Sequence, residues 1–131
     1  GLAAVNTKAE AGVIQTITSY EEAVSTLAAR RTARIAELIR VILLNGGGGG
    51  AVVPVANAEG YEAAFAAMSG MEDLSVVVCD STDQEVQQKL RDSVTAASAA
   101  RRERIAWWLV GRRKRHRTDG PGQALNSERV V

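Results

Sequence analysis

Residues 74–79 read Leu-Ser-Val-Val-Val-Cys, an apolar run with almost no polar interruption. A strand with one wet face alternates polar and apolar residues. A run like this is expected where both faces of a sheet are covered, as in parallel sheets. It ends on Asp80-Ser81-Thr82-Asp83, short acceptors that can cap free backbone N–H groups. A helical segment then runs to about Arg102, with Val86, Leu90, Val94 and Ala97 on its apolar side. Upstream, Ala51–Ala56 (AVVPVA) is a short, mostly apolar strand, and Glu59–Met68 is a helix with Tyr61, Ala64, Phe65 and Met68 on one side. Downstream, Ile105–Val110 is a third strand and Arg129–Val131 begins a fourth. Strands alternating with helices indicate an α/β fold, a mostly parallel sheet with helices packed on it. The strands at 51–56, 74–79 and 105–110 are expected to be neighbours. Pro54 cannot donate to a ladder, so its strand is expected at an edge or to be irregular.

The N-terminal part is less regular. Gly1–Val5 and Val13–Ile17 read as short extended segments separated by a polar turn. Thr18-Ser19-Tyr20-Glu21-Glu22 is a helix start, with a hydroxyl cap and acids in the first turn. A second helix is expected from Thr32, since Ile35, Leu38, Ile39, Ile42 and Leu43 follow the i, i+3, i+4, i+7, i+8 pattern. Asn45 and the run Gly46–Gly50 end it, because glycine accepts the left-handed conformation found at helix C-termini. Residues 1–131 therefore form a single α/β core region with a glycine connector at 46–50.

With 131 residues, 13.9 kDa and 46% apolar residues, the chain has enough material for one core. Aromatic residues are only 4%, so Ala, Val, Leu and Ile must fill it. No apolar run approaches the ~20 residues of a membrane span, and no signal-peptide pattern opens the chain, so no membrane partner is expected. The single cysteine, Cys79, excludes an internal disulfide and points to a reducing compartment. Cys79 and His116 alone make a poor zinc set. The chain opens without methionine and stops inside an apolar run, so a longer parent is expected. Charge is unevenly spread: residues 101–117 hold eight of the sixteen basic residues and one acid, leaving eight bases and fourteen acids elsewhere. A basic block on an acidic body suits a polyanion or another subunit.

Three groups of residues bear on chemistry. Gly46-x-Gly48-x-x-Ala51 matches the dinucleotide fingerprint formally, but it leaves a helix and enters a strand, the reverse of what a pyrophosphate needs. Asp80 and Asp83 follow a strand at a helix start, where α/β proteins often hold ligands, so a metal or phosphoryl site of receiver-like kind is an alternative to simple capping. Cys79 ends an apolar strand and reads as a buried inert thiol, while His116 lies in a polybasic run without fixed surroundings. No catalytic residue, cofactor or metal is therefore expected. Arg101, Arg102 and Arg104 close the long helix, where cations complement the dipole, and are candidate subunit-interface residues. Arg112–Arg117 with Trp107 and Trp108 form a basic-aromatic stretch for which polyanion binding is a third reading.

Several of these segments carry a family resemblance. Residues 17–23 (ITSYEEA), residues 61–65 (YEAAF) through 77–83 (VVCDSTD), and residues 96–106 (AASAARRERIA) resemble the tail sheath protein of contractile phages and related injection machines. Residues 124–131 (ALNSERVV) fit as well. The resemblance implies the α/β core of a sheath subunit, called subtilisin-like for its fold and not for protease activity. It further implies a non-enzymatic structural role and a virion-tail location after assembly in the bacterial host cytoplasm. The partners implied are other sheath subunits in a helical array and the tail tube protein, with nucleic acid not among them. Residues 107–123 are atypical, because the family pattern has a Val-Val-Gly-Gly strand end, a polar loop and an amphipathic helix there. Codons available for Trp107-Trp108-Leu109 give Val-Val-Val when shifted by one base. Those for Lys114–Gly120 give Asn-Val-Thr-Glu-Leu-Thr-Ala. Sequencing of the coding DNA tests whether 107–123 is frameshifted.

Overall fold

The computed structural model describes residues 1–27 and 34–108. Its elements are β1 (Leu2–Val5), β2 (Gln15–Ile17), α1 (Tyr20–Thr26), α2 (Arg34–Leu44), β3 (Gly50–Val55), α3 (Gly60–Ser69), β4 (Val76–Cys79), α4 (Gln84–Ala99) and β5 (Ile105–Trp108). The expected strand at Arg129–Val131 and the basic-aromatic stretch beyond Trp108 lie outside the described residues. The five strands form one mixed sheet in the order β2-β3-β1-β4-β5. β1 pairs in parallel with β3 and β4, β4 with β5, and β2 runs antiparallel to β3.

The α/β architecture follows the sequence reading, but the strand order corrects it. Strands β3 and β4 are not neighbours, because β1 lies between them. Leu2, Ala3 and Ala4 are all buried, which only a position covered on both faces provides. The segment is short and built from small residues, so its sequence carries little strand signal. Its ladder extends to the first residue: the Gly1 nitrogen donates to the Val76 carbonyl (2.6 Å) and the Gly1 carbonyl accepts from Val78 N–H (2.9 Å).

Pro54 also needs a correction. Its strand is internal, yet the ladder with β2 covers only Gly50–Val52. Pro54 sits past that end, where its carbonyl accepts from Gly12 N–H (2.8 Å) and no partner demands the missing donor. Gly12 makes this approach at φ 80°, a left-handed turn that glycine enters without penalty.

Helices flank both faces. On one face Val53, Val55 and Val77 of the sheet share a core with Phe65 and Met68 of α3 and Leu90 and Val94 of α4. On the other, Leu2, Ala4, Ile17 and Val52 of the sheet share a core with Leu27 at the end of α1 and Ile35 and Ile39 of α2. Each such aliphatic side chain removed from water contributes about 1.5–3 kcal/mol. The second layer stops short of β5. Val77 and Ala106 face α4, so their register neighbours Ile105 and Trp107 face the other way, and Trp107 is 53% exposed.

Local capping sets the boundaries. Ser19 accepts from Glu22 N–H (3.1 Å), and Glu22 accepts in return from the backbone and hydroxyl of Thr18 (2.7 and 2.9 Å). This reciprocal arrangement satisfies orphan donors at the start of α1. It also holds the Glu22 carboxyl below its ordinary pKa, the Thr18 backbone bond being the largest cause. At the other end of the fold, α4 closes with Arg101 N–H on Ser98 O (3.0 Å) and Arg102 N–H on Ala97 O (2.9 Å), the two bonds of a Schellman motif. The left-handed position of that motif is Arg101, at φ 63°, where glycine is usual. Arg101→Gly is therefore expected to stabilise the fold by about 0.5–1 kcal/mol, read as a higher urea midpoint at constant m. A lower midpoint would mean that the Arg101 side chain contributes more than its backbone costs.

Candidate functional site

Asp80 stands at the carboxyl end of β4, beside the end of β1, where the sheet order reverses and α/β proteins open a ligand crevice. Here the carboxylate is committed to the fold. One oxygen accepts from the Tyr61 hydroxyl at the start of α3, the other from Val5 N–H (3.2 Å), and Asp80 itself is buried. Burial, then the Asp80 hydrogen bond, pushes the Tyr61 phenol far above its ordinary pKa, so it remains a donor. Asp83 is the N-cap of α4, accepting from Glu85 N–H (2.8 Å). Asp80 is thus taken up by Tyr61 and Val5, and Asp83 by the start of α4. No group of three or more His, Cys, Asp or Glu suited to a metal occurs among the described residues. Sequence reasoning placed Tyr61 on an apolar face and missed its pairing with Asp80. The signal available was a hydroxyl on an otherwise apolar helix side.

Cys79 is buried next to this point, its thiol directed at the Ser81 carbonyl (3.8 Å). Burial pushes its pKa up to about 11. With so little thiolate, alkylation by iodoacetamide at pH 8 is expected to be negligible in buffer and complete in denaturant. Labelling at equal rates in both conditions would place Cys79 outside the core.

The three arginines do not form one surface. Arg101 is exposed, Arg102 half-buried, and Arg104 only 2% exposed. Arg104 was expected at a charged rim completing the end of α4; its guanidinium instead serves α3. Its nitrogens donate to Met68 O (2.8 Å), Ser69 O (3.3 Å) and Met71 O, and Arg102 adds a bond to Ser69 O (3.2 Å). Met68 O and Ser69 O belong to the last turn of α3, whose negative dipole end is the counter-charge, and Met71 O lies just past the helix. Burial, then Arg102, pulls the Arg104 pKa below its ordinary value, yet a guanidinium remains protonated across the working range. The Arg104 Nε is buried without a hydrogen-bond partner.

On the outer side of this clasp an open groove of about 480 Å³ runs between α3 and α4. Phe65, Ala66, Ala96 and Ala100 line its floor and sides, with Arg102 at one end. The Lys89–Glu62 ion pair (2.8 Å) bridges the two helices. No helix among the described residues is long and apolar enough to cross a membrane.

Compared with known proteins, the chain matches no family model and none of the curated sequences. It is similar in structure to a chain of the helical sheath of the anti-feeding prophage in its contracted state, with a TM-score of 0.69 at 16% identity. The match covers 99% of this chain but 37% of the sheath chain, so the present chain spans little more than a third of that length. What the likeness shows is the fold: an α/β core of the kind found in a contractile sheath.

Proposed function

We propose that the chain is the core region of a contractile sheath subunit, a non-enzymatic part that assembles with other copies into a helix around a tail tube. The observation that carries this reading is the likeness to a prophage sheath chain over nearly all of the present residues. A sheath is mechanical: identical subunits exchange one set of contacts for another, and the difference in free energy drives the tube forward. Such a part needs a rigid body and surfaces able to bind copies of itself. The two-sided sheet supplies the first. Arg101 and Arg102 belong at the second, where they contribute orientation more than affinity, since exposed ion pairs give about 0–1 kcal/mol. The location implied is a virion or prophage tail assembled in the bacterial cytoplasm.

Association must offset roughly 4–15 kcal/mol of lost translational and rotational freedom. A core alone has few contacts to do so. The 131-residue chain is therefore expected to sediment as a monomer or weak oligomer at micromolar concentration. A chain extended to the full length of such a subunit should form tubes. Stable tubes from the short chain would move the assembly contacts into the core. A full-length chain that stays monomeric under all conditions would sink the sheath reading.

A further inference from the structure

Two helices of the fold end in the same way on different residues. α2 closes with Gly46 N–H on Leu43 O (3.3 Å) and Gly47 N–H on Ile42 O (3.0 Å), the same pair of bonds that closes α4. The left-handed position is Gly46 at φ 86° in the first and Arg101 at φ 63° in the second. A Cβ costs free energy in that conformation, and glycine avoids the cost. At Gly46 only the backbone matters, and the fold has glycine there. At the matching place in α4 it has an arginine. Arg102, one residue on, is used within the chain, since its guanidinium donates to Ser69 O (3.2 Å). Arg101 is exposed, and its guanidinium makes no hydrogen bond or ion pair among the described residues. A backbone cost that returns nothing inside the chain is what a functional position looks like.

We propose that Arg101 is kept at this strained position for a contact outside the chain, an ion pair with a carboxylate of a neighbouring copy. Such a contact rests on the sheath reading and separates Arg101 from Arg102 and Arg104, whose guanidinium groups serve the end of α3. A second copy supplies the acceptors. Residues 1–27 and 34–100 hold twelve acids and five bases, a net of −7. Three of those bases, Arg40, Lys89 and Arg91, are already paired to Glu37, Glu62 and Asp92. Glu10, Glu21, Glu59, Glu72 and Asp73 are exposed, and their carboxylates make no hydrogen bond or ion pair among the described residues. A guanidinium fork takes a carboxylate through two parallel bonds, which fixes the angle between partners as well as their distance. Between copies, a pair of this kind sets register and rejects wrong neighbours.

The test sets stability against assembly for one residue. Arg101→Gly, Arg101→Lys and Arg101→Glu are made in the 131-residue chain for urea titration and in a full-length chain for tube formation, followed by sedimentation. Arg101→Gly is expected to raise the urea midpoint and yet to need about two- to fivefold more protein to form tubes, the range an exposed ion pair allows. Arg101→Lys keeps the charge without the fork and should assemble better than Arg101→Gly. Arg101→Glu should assemble worse than Arg101→Gly, because it sets like charges against each other. Arg101→Gly tubes at the wild-type concentration overturn the outside contact and leave the sheath reading standing. A lower urea midpoint for Arg101→Gly overturns it as well, since the side chain then serves the fold. Arg101→Lys no better than Arg101→Gly, or Arg101→Glu no worse, overturns the ion pair. A full-length wild type that forms no tubes overturns the sheath reading and this contact with it.

Discussion

Val77→Asp is expected to leave no folded population in buffer. Val77 is 3% exposed in the middle of β4, with its side chain among Val53, Phe65 and Leu90 under α3 and α4. The substitution forfeits about 1.5–3 kcal/mol of apolar burial. It also buries a carboxylate in an apolar cluster, a cost of several kcal/mol even if the group takes up a proton. The sum rivals the roughly 5–15 kcal/mol that holds an ordinary domain together. Far-UV circular dichroism and a urea titration check it. A soluble Val77→Asp chain with a cooperative transition would contradict the placement of β4 in the interior.

Arg104→Met should be the next most damaging change. The methionine matches the arginine stem in length and apolarity, so what is lost is the guanidinium and its three acceptors. Ser69 O keeps Arg102, and Met68 O keeps the backbone N–H of Met71 (3.1 Å). Met71 O loses its arginine donor, and the C-terminal dipole of α3 loses the buried cation opposite it. Against this stands a gain, because a buried charge with an unpaired Nε no longer has to be desolvated. Charge-assisted bonds are worth about 1.5–3 kcal/mol each and the desolvation gain offsets part of their loss. The net expected cost is about 2–4 kcal/mol. Arg104→Lys, which retains a cation but not the fork, should fall between the variant and the wild type. The measurement is the shift in urea midpoint for the pair of variants. Arg104→Met as stable as the wild type would show that the clasp costs as much as it returns.

The sequence carried the layer architecture because the strongest signals were also the most local. Most of the apolar run 74–79 forms β4, which starts only at Val76, and of the two roles open to Asp83 the structure shows the cap. What it did not carry was adjacency. Nothing in Leu2-Ala3-Ala4 announces a central strand, since its burial depends on partners far along the chain. The arginines show the same limit in reverse. Position suggested that Arg104 ended α4, whereas its six-atom reach takes it to the carbonyls of another helix. The exposed apolar side of α2, Val41 and Leu44, was legible in part. Val41 and Leu44 are surplus to the stripe made by Ile35, Leu38, Ile39, Ile42 and Leu43, and a surplus of that kind marks a helix with two apolar sides.

The central position of β1 has a consequence in time. Its first residue pairs with partners 50 and 76 positions later, Leu2 with Val52 and Leu2 with Val78. A ribosome extends the chain at roughly 5–20 residues per second, so this strand leaves the tunnel seconds before either neighbour exists. Until β4 has been synthesised, Leu2, Ala3 and Ala4 have at most one flank to lie against. The α1–α2 side can gather around them early, but the sheet cannot close around its own middle until the 76 positions from Leu2 to Val78 have been made. Folding that waits on such distant pairings is slow. β1 is thus made before either of its sheet neighbours and is enclosed only when β4 follows.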